Sequence, residues 1–285
     1  MVRGKRFRLE DTINALFHRV TVMDRIAALR NIAFEKKNFD GFFIFNEANL
    51  LYFTGFPGAA CLLVAKDGEN TAYVYGVNYE QAKTEGKGIT VELVNRGEKL
   101  FKKAATTIKD SRIKKLELDS LSNESYRLLA KELRGSTRVG NGNKLIWELR
   151  KAKDARELEL MRKAGELTSQ GMKAAYQAIK PGVKEYEVAG EIEYAMRKGG
   201  GWGTAFDTIV ASGARSAFPH GGCMDRKIRQ GDLVVVDIGS TYQFYRSDMT
   251  RTIVAGKPSE KQKKIYEVVR QAQEKAHEAI KPKVR

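Results

Sequence analysis

From Asp40 to about Gly140, short apolar runs alternate with longer stretches whose apolar residues return every three or four positions. Gly41–Phe45, Ala60–Ala65, Thr71–Tyr75, Thr90–Leu93 and Lys115–Leu118 have the length and composition of strands. Asn78–Thr84, Gly97–Lys109 and Ser122–Leu133 read as helices between them. This alternation predicts an α/β domain with a mostly buried sheet. The segment NEANLLYFTGFPG, Asn46 to Gly58, reads as a hydrophobic strand running into a corner of Gly and Pro. Upstream, Met23 opens a helix followed by a strand. Residues 1–22 form a basic lead segment in which Asp11–Val22 has the spacing of a short amphipathic helix, with His18 beside its apolar face.

The second half has a different texture. Asn141 to Lys153 crosses between two domains, seated by Leu145, Trp147 and Leu149. A long helix follows, with the stripe Leu158, Met161, Ala164, Gly165, Thr168 and Met172, until Pro181-Gly182 stops it. Glu185–Lys198 is a second amphipathic helix, closed by Gly199–Gly201. Thr208–Ala211 reads as a strand, Ser212-Gly213 as a turn and Phe218-Pro219-His220-Gly221 as a stiffened loop. Leu233–Val236 is an uncharged, β-branched run, the pattern of a strand buried on both faces. Asp237 follows directly, Gly239–Gln243 supplies a turn, and Phe244–Val254 returns carrying Asp248. Eleven residues of separation suit one hairpin with both carboxylates on one side.

Oxygen ligands on rigid strands suit hard or borderline divalent ions, and a buried carboxylate needs a cation. The same residues also read as a turn cap, for Asp237, and as an ion-pair partner of Arg246 or Arg251, for Asp248. Spacing leaves both readings open.

Composition narrows the class. The 285 residues are 42% hydrophobic and 30% charged, an ordinary globular balance with room for two cores. The formal charge is +16, spread as +3 over residues 1–22, +5 over 23–150 and +8 over 151–285. A nucleic-acid binder concentrates such an excess in a stripe with interleaved aromatics, so nucleic acid is not the expected partner. No run reaches the ~18–20 apolar residues of a membrane span, and the basic start lacks the apolar centre of a secretory signal. Two cysteines, Cys61 and Cys223, fit inert core positions in a reducing, cytoplasmic setting.

The phrase DLVVVDIGSTYQFYRSDMTRT, Asp232 to Thr252, closely resembles the first metal-ligand segment of the Xaa-Pro dipeptidase and aminopeptidase P family, the "pita-bread" metallopeptidases. The resemblance implies that Asp237 and Asp248 are the first two of five ligands around a dinuclear centre of Mn, Co, Fe or Zn. A lone His behind a Pro is ordinarily a satisfied loop residue. Here GTAFDTIVASGARSAFPHGG, Gly203 to Gly222, resembles the family's T-I-V-A-S-G…P-H signature, which implies that His220 hydrogen-bonds the substrate or the tetrahedral intermediate. NEANLLYFTGFPG resembles the family's N-terminal domain, which methionine aminopeptidases lack. The implied architecture is an α/β creatinase/prolidase-like N-terminal domain over 23–145, followed over 146–285 by an incomplete α+β pita-bread domain. The implied substrates are proline-containing dipeptides or peptides, cut before the proline, and the implied assembly is a homodimer.

One repeat is visible inside the chain. Ala178-Ile179-Lys180-Pro181-Gly182-Val183 recurs as Ala279-Ile280-Lys281-Pro282-Lys283-Val284, offset by 101 residues, each time after an amphipathic helix. Lys283 replaces the flexible Gly182 of the first copy. On this offset a second copy would run to about residue 355, beyond Arg285. The family's other ligands, a His and two Glu, lie further along than this sequence reaches. The expectation is therefore a truncated chain with weak or no metal binding, inactive alone, and an unpaired sheet edge rich in Val and Ile. His277, on the Glu260–Ile280 helix, reads as solvated. The alternatives are a non-catalytic binding or scaffold protein that kept the N-terminal domain, and a site completed by a second chain.

Overall fold

A computed structural model describes residues 22–282 and 284. The expected lead segment with its helix from Asp11 and His18, and the Lys283-for-Gly182 exchange, lie outside the described residues. The chain divides into two units between Arg156 and Glu157.

The first unit is built on a six-stranded mixed sheet. Its strands are β1 (Gly41–Ile44), β2 (Cys61–Ala65), β3 (Asn70–Tyr75), β4 (Thr90–Val94), β5 (Lys115–Leu118) and β6 (Arg138–Asn141), in the order β4-β3-β2-β1-β5-β6. β1, β2 and β3 pair antiparallel; β3–β4, β1–β5 and β5–β6 pair parallel. The central strands are apolar throughout because each face meets its own helical layer. Phe42, Ile44, Leu62, Val64, Ala72 and Val74 join a core with the helices Val22–Arg30, Glu47–Thr54, Tyr79–Glu85 and Asn143–Arg150. Phe43, Cys61, Leu63 and Tyr73 turn the other way, onto Leu100–Asp110 and Asn123–Leu133.

Two expectations fail here. Asn46–Gly58 is largely a helix. The Asn46 side chain accepts from the backbone N–H groups of Ala48 and Asn49, and Gly55, at φ 73°, closes the other end by donating to the Leu51 carbonyl. Buried Asp119 fixes that start, accepting from the N–H groups of Phe45 and Asn46 and from Asn49 Nδ2. Trp147 seats nothing: it is 64% exposed on its helix, and Ile146 is the residue buried there.

In the second unit, α1 (Ala155–Ala178) and α2 (Glu185–Lys198) cover one face of a three-stranded antiparallel sheet, β7 (Ile209–Ser212), β8 (Leu233–Ile238) and β9 (Met249–Val254), with β8 central. A smaller sheet holds β10 (Gly203–Thr204), β11 (Ser240–Tyr242) and β12 (Tyr245–Arg246). The buried stripe of α1 is Ala164, Leu167, Thr168, Gly171, Met172 and Ala175, while Leu158, in the first turn, stays exposed. β8 is not buried on both faces as its composition suggested. Val234, Val236 and Ile238 point into the helical core, whereas Leu233, Val235 and Asp237 are half-open. β9, at the sheet edge, exposes Thr250, Arg251 and Thr252 in place of the expected row of Val and Ile, and turns Met249 and Ile253 inward.

The internal echo has a structural counterpart. Val183 donates to the Lys180 carbonyl (3.2 Å) and Val284 to the Lys281 carbonyl (3.1 Å), each just past a helix end. Ile179 is buried, whereas Ile280 is exposed. The last helix, α3 (Glu260–Ala279), has no buried residue. Among the described residues no helix is long and apolar enough to cross a membrane.

Candidate functional site

Asp237 is the outward residue at the far end of the central strand, opposite Ile209 on β7 and Thr250 on β9. Thr250 Oγ1 donates to Asp237 Oδ1 at 2.6 Å, orienting the carboxylate. The expected hairpin is present, but it turns at Gln243 and Phe244 rather than across Gly239–Gln243, where Ser240–Tyr242 is strand, and it is split between two sheets. Met249 faces Ile238, Ser247 donates to the Ser240 carbonyl, and Thr241 and Tyr242 face Arg246 and Tyr245, one continuous register without a bulge. Asp248 therefore sits two positions from Thr250 on the face that carries Asp237. Such a diagonal pair lies roughly 7–8 Å apart at the backbone.

Three devices hold this hairpin. Gly239 lets the strands close where they pass between sheets: a Cβ there would lie 2.2 Å from the Ser247 carbonyl oxygen. Gln243 and Phe244 both take positive φ, the two-residue loop that matches strand twist, and Phe244 packs edge-on against Trp202 with ring centroids 5.0 Å apart. Finally, Ser240 N–H donates to Thr168 Oγ1, which lies 2.6 Å from Ser247 Oγ, and Ser247 Oγ in turn donates to the Ala164 carbonyl. Because Ser247 Oγ gives its one proton to that carbonyl, the Thr168 hydroxyl is the donor between the two. The buried Thr168 hydroxyl and the Ala164 carbonyl, both on α1, thus fix the residue immediately before Asp248.

Asp237 is half-buried and Asp248 exposed, and among the described residues neither forms an ion pair. Arg251 instead donates to the Thr250 carbonyl. The alternative readings are not what the side chains do: among the described residues Asp248 pairs with neither Arg246 nor Arg251, and Asp237 stands within a strand rather than capping a turn. Two oxygen-donor groups on one open face suit a hard divalent ion. Among the described residues no third His, Cys, Asp or Glu joins them to make a metal cluster.

His220 lies elsewhere on the same side of the sheet. It occupies a β-turn with Pro219, closed by Gly221 N–H donating to the Phe218 carbonyl at 3.1 Å, and is exposed. Gly221 rests on Ala211, whose register partner Val235 shares the Asp237 face. Among the described residues no hydrogen bond links His220 to either aspartate. The loop is tied down by Glu185, which is fully buried. Its Oε1 accepts from Ser212 N (2.8 Å) and Ser212 Oγ (2.7 Å), and its Oε2 from Met224 N (3.0 Å) and Arg215 Nε (3.2 Å). Arg215 also donates to the Gly221 carbonyl, and Arg226 bridges Ser212 Oγ to Asp232. Burial pushes the Asp232 carboxyl up, but hydrogen bonds from Arg226 and the Arg229 amide, with the charges of both arginines, hold it below the usual carboxylate range. Burial raises the Cys223 thiol, which donates to the Thr208 carbonyl.

Sequence reasoning did not find Thr250, Thr168, Glu185 or Arg215. The Thr-Arg-Thr alternation beside Asp248 was a usable signal for Thr250. The others are joined only by long-range folding.

A family profile described as metallopeptidase family M24 matches residues 159–285, and one described as creatinase/prolidase N-terminal domain matches residues 25–152. The Xaa-Pro dipeptidase of Pyrococcus horikoshii is 39% identical over 252 residues, covering 87% of this chain and 69% of that protein. The chain belongs to the Xaa-Pro dipeptidase and aminopeptidase P family of metallopeptidases. Prolidase from P. horikoshii superimposes with a TM-score of 0.81 at 36% identity, covering 91% of this chain and 73% of that one. An X-Pro aminopeptidase from Thermotoga maritima gives 0.76 at 33%, covering 84% and 70%. The first unit is accordingly a creatinase/prolidase N-terminal domain and the second carries the family's pita-bread fold. Family membership makes the chain a hydrolase by descent.

Proposed function

We propose that this chain carries part of a dinuclear Xaa-Pro peptidase site, with Asp237 and Asp248 as two of its metal ligands and His220 as a catalytic hydrogen-bond donor. The observation that supports this most is the uninterrupted register, which sets two carboxylates, neither ion-paired among the described residues, diagonally on one open sheet face. Divalent ions held there would polarise the scissile carbonyl and acidify a water. The chain's own contribution is to orient the donors. Thr250 fixes one Asp237 oxygen, leaving the other free, and Ser247 sets the backbone before Asp248. His220, on its Pro-stiffened turn, donates to the oxygen on which negative charge develops. Substrates are dipeptides or short peptides with proline in second position. Both a dipeptidase and an aminopeptidase stand among the relatives, so the reading covers either.

Two carboxylates are a partial donor set, so the described residues hold divalent ions weakly by themselves, and turnover requires further ligands. This ligand count favours a second reading, a chain that binds without catalysing. Unpaired cysteines agree with a reducing cytoplasm, and a homodimer follows from the resemblance.

The test is a Mn²⁺ titration of the purified chain followed by magnetic resonance of the free ion, alongside an Xaa-Pro dipeptide assay. Weak binding that disappears in both Asp237→Asn and Asp248→Asn is expected, with little or no turnover. Binding that survives both substitutions overturns the ligand assignment. Dipeptide turnover by the unaltered chain overturns the incomplete-site reading.

A further inference from the structure

The buried Glu185 makes four hydrogen bonds, and all four donors belong to one segment, Ser212 to Met224. It holds the start of that segment through Ser212, its end through Met224, and its middle through Arg215. Arg215 then reaches past His220 to the carbonyl of Gly221. Helix α2 does not need this residue as a cap. Its N-terminus is closed by Lys184 N–H donating to Glu187 Oε2 at 2.7 Å. A buried ion pair is also a poor way to gain stability, since apolar residues of similar volume serve as well or better, so its value lies in fixing geometry.

The ties continue in the other direction. Ser212 Oγ donates to Glu185 and accepts from Arg226, which donates to Asp232, the residue immediately before β8. A chain of charged and hydroxyl groups therefore runs from the strand bearing Asp237 to the turn bearing His220. Its last link requires two donors on one rigid side chain, one for Glu185 and one for Gly221. A guanidinium supplies them in a fixed fork; a lysine ammonium is a point charge on a flexible stem.

We infer that Glu185 and Arg215 are positioning residues, a strap whose role is to hold the His220 turn at a set place over the Asp237 face. The inference rests on His220 being functional for its biological meaning, though the strap itself is measurable without metal or substrate. The chain has three histidines, so the imidazole signals of a labelled sample resolve into three sets. In the parent chain, the Gly221 and Met224 amides should show order parameters near 0.85, the value of rigid backbone. In Arg215→Lys the Gly221 amide should fall below about 0.6 while Met224, still bonded to Glu185, stays ordered, the His220 imidazole should show motional averaging, and the amides of α1 and the His277 signals should stay unchanged. Glu185→Gln, which keeps an acceptor for Ser212 but loses that for Arg215 and Met224, should loosen both the Gly221 and the Met224 amides. Ser212→Ala removes one donor and leaves the strap intact, so Gly221 should stay ordered.

Signals of Gly221 and His220 that superimpose on the parent in both strap variants overturn the inference. So does loss of order throughout the second unit, which would make the pair a structural support only. If instead the turn loosens as expected while His220→Ala leaves Xaa-Pro peptide binding unchanged, the strap stands and the role proposed for His220 falls.

Discussion

Asp232 holds a small share of the second unit's stability that depends on pH. Its carboxyl bonds to Arg226 at 2.6 Å and accepts from Arg229 N–H at 2.8 Å, and it stays ionised below the usual carboxylate range despite partial burial. A group whose pKa is depressed in the folded state stabilises fully above its unfolded value, about 3.9, and ceases to as pH falls through the folded value. The chain should therefore be more stable than Asp232→Asn at pH 6. The gap should shrink steadily below about pH 4. Urea denaturation of both proteins between pH 3 and 6 measures it, and a gap independent of pH would show that the carboxylate's charge is not what Arg226 recognises.

At the scale of elements, the decisive feature is a hairpin that changes sheets half-way. Gly239 is where it does so, and an alanine Cβ would sit 2.2 Å from the backbone oxygen of Ser247, a contact no rotamer relieves. Gly239→Ala should cost about 1–3 kcal/mol, the usual range for overpacking, and should abolish whatever Mn²⁺ binding the parent chain shows, because Asp248 follows the displaced Ser247. Thermal denaturation with Mn²⁺ titration checks both. That Asp237 and Asp248 share a hairpin was legible in the sequence; its register was not, because Ser240–Tyr242, expected in the turn, is strand, and Gln243 and Phe244 make the turn. The sheet switch was not, because nothing in the local pattern marks the second sheet. In the first unit β1 to β5 were legible, β1 and β2 because helices on both faces leave them continuously apolar, whereas β6, Arg-Val-Gly-Asn at the sheet edge, has one large apolar residue and was not. Asn46–Gly55 shows the limit of that logic. A helix buried on most sides has no polar stripe, so Leu50 to Phe53 resembles a buried strand, and only its caps, Asn46 and Gly55, separate the two. The placement of Asp237 and Asp248 on one hairpin was legible through the wording around them. Glu185 and Arg215 stand 30 residues apart and meet only in the folded chain.

Over the whole molecule, two opposing surface properties set its behaviour in solution. The formal charge of +16 keeps copies apart. Against this, α3 exposes Ile265, Tyr266, Val268 and Val269, each more than half accessible, and buries none of its residues. An apolar face of this kind associates when repulsion permits. The Debye length falls from about 10 Å at 0.1 M salt to about 3 Å at 1 M, so added salt removes the repulsion while leaving the apolar face intact. The β9 edge opposes strand pairing with exposed Thr250, Arg251 and Thr252, so association through α3 rather than through that edge is expected. Sedimentation velocity should show a species that grows with salt between about 0.05 and 1 M, the range over which screening becomes complete. Val268→Glu with Val269→Glu should prevent the growth without altering the thermal midpoint, because neither side chain is packed. Salt-dependent growth that persists in the double variant would assign association to another surface. A sedimentation coefficient constant across the range in the parent chain would mean that the α3 face is covered in solution.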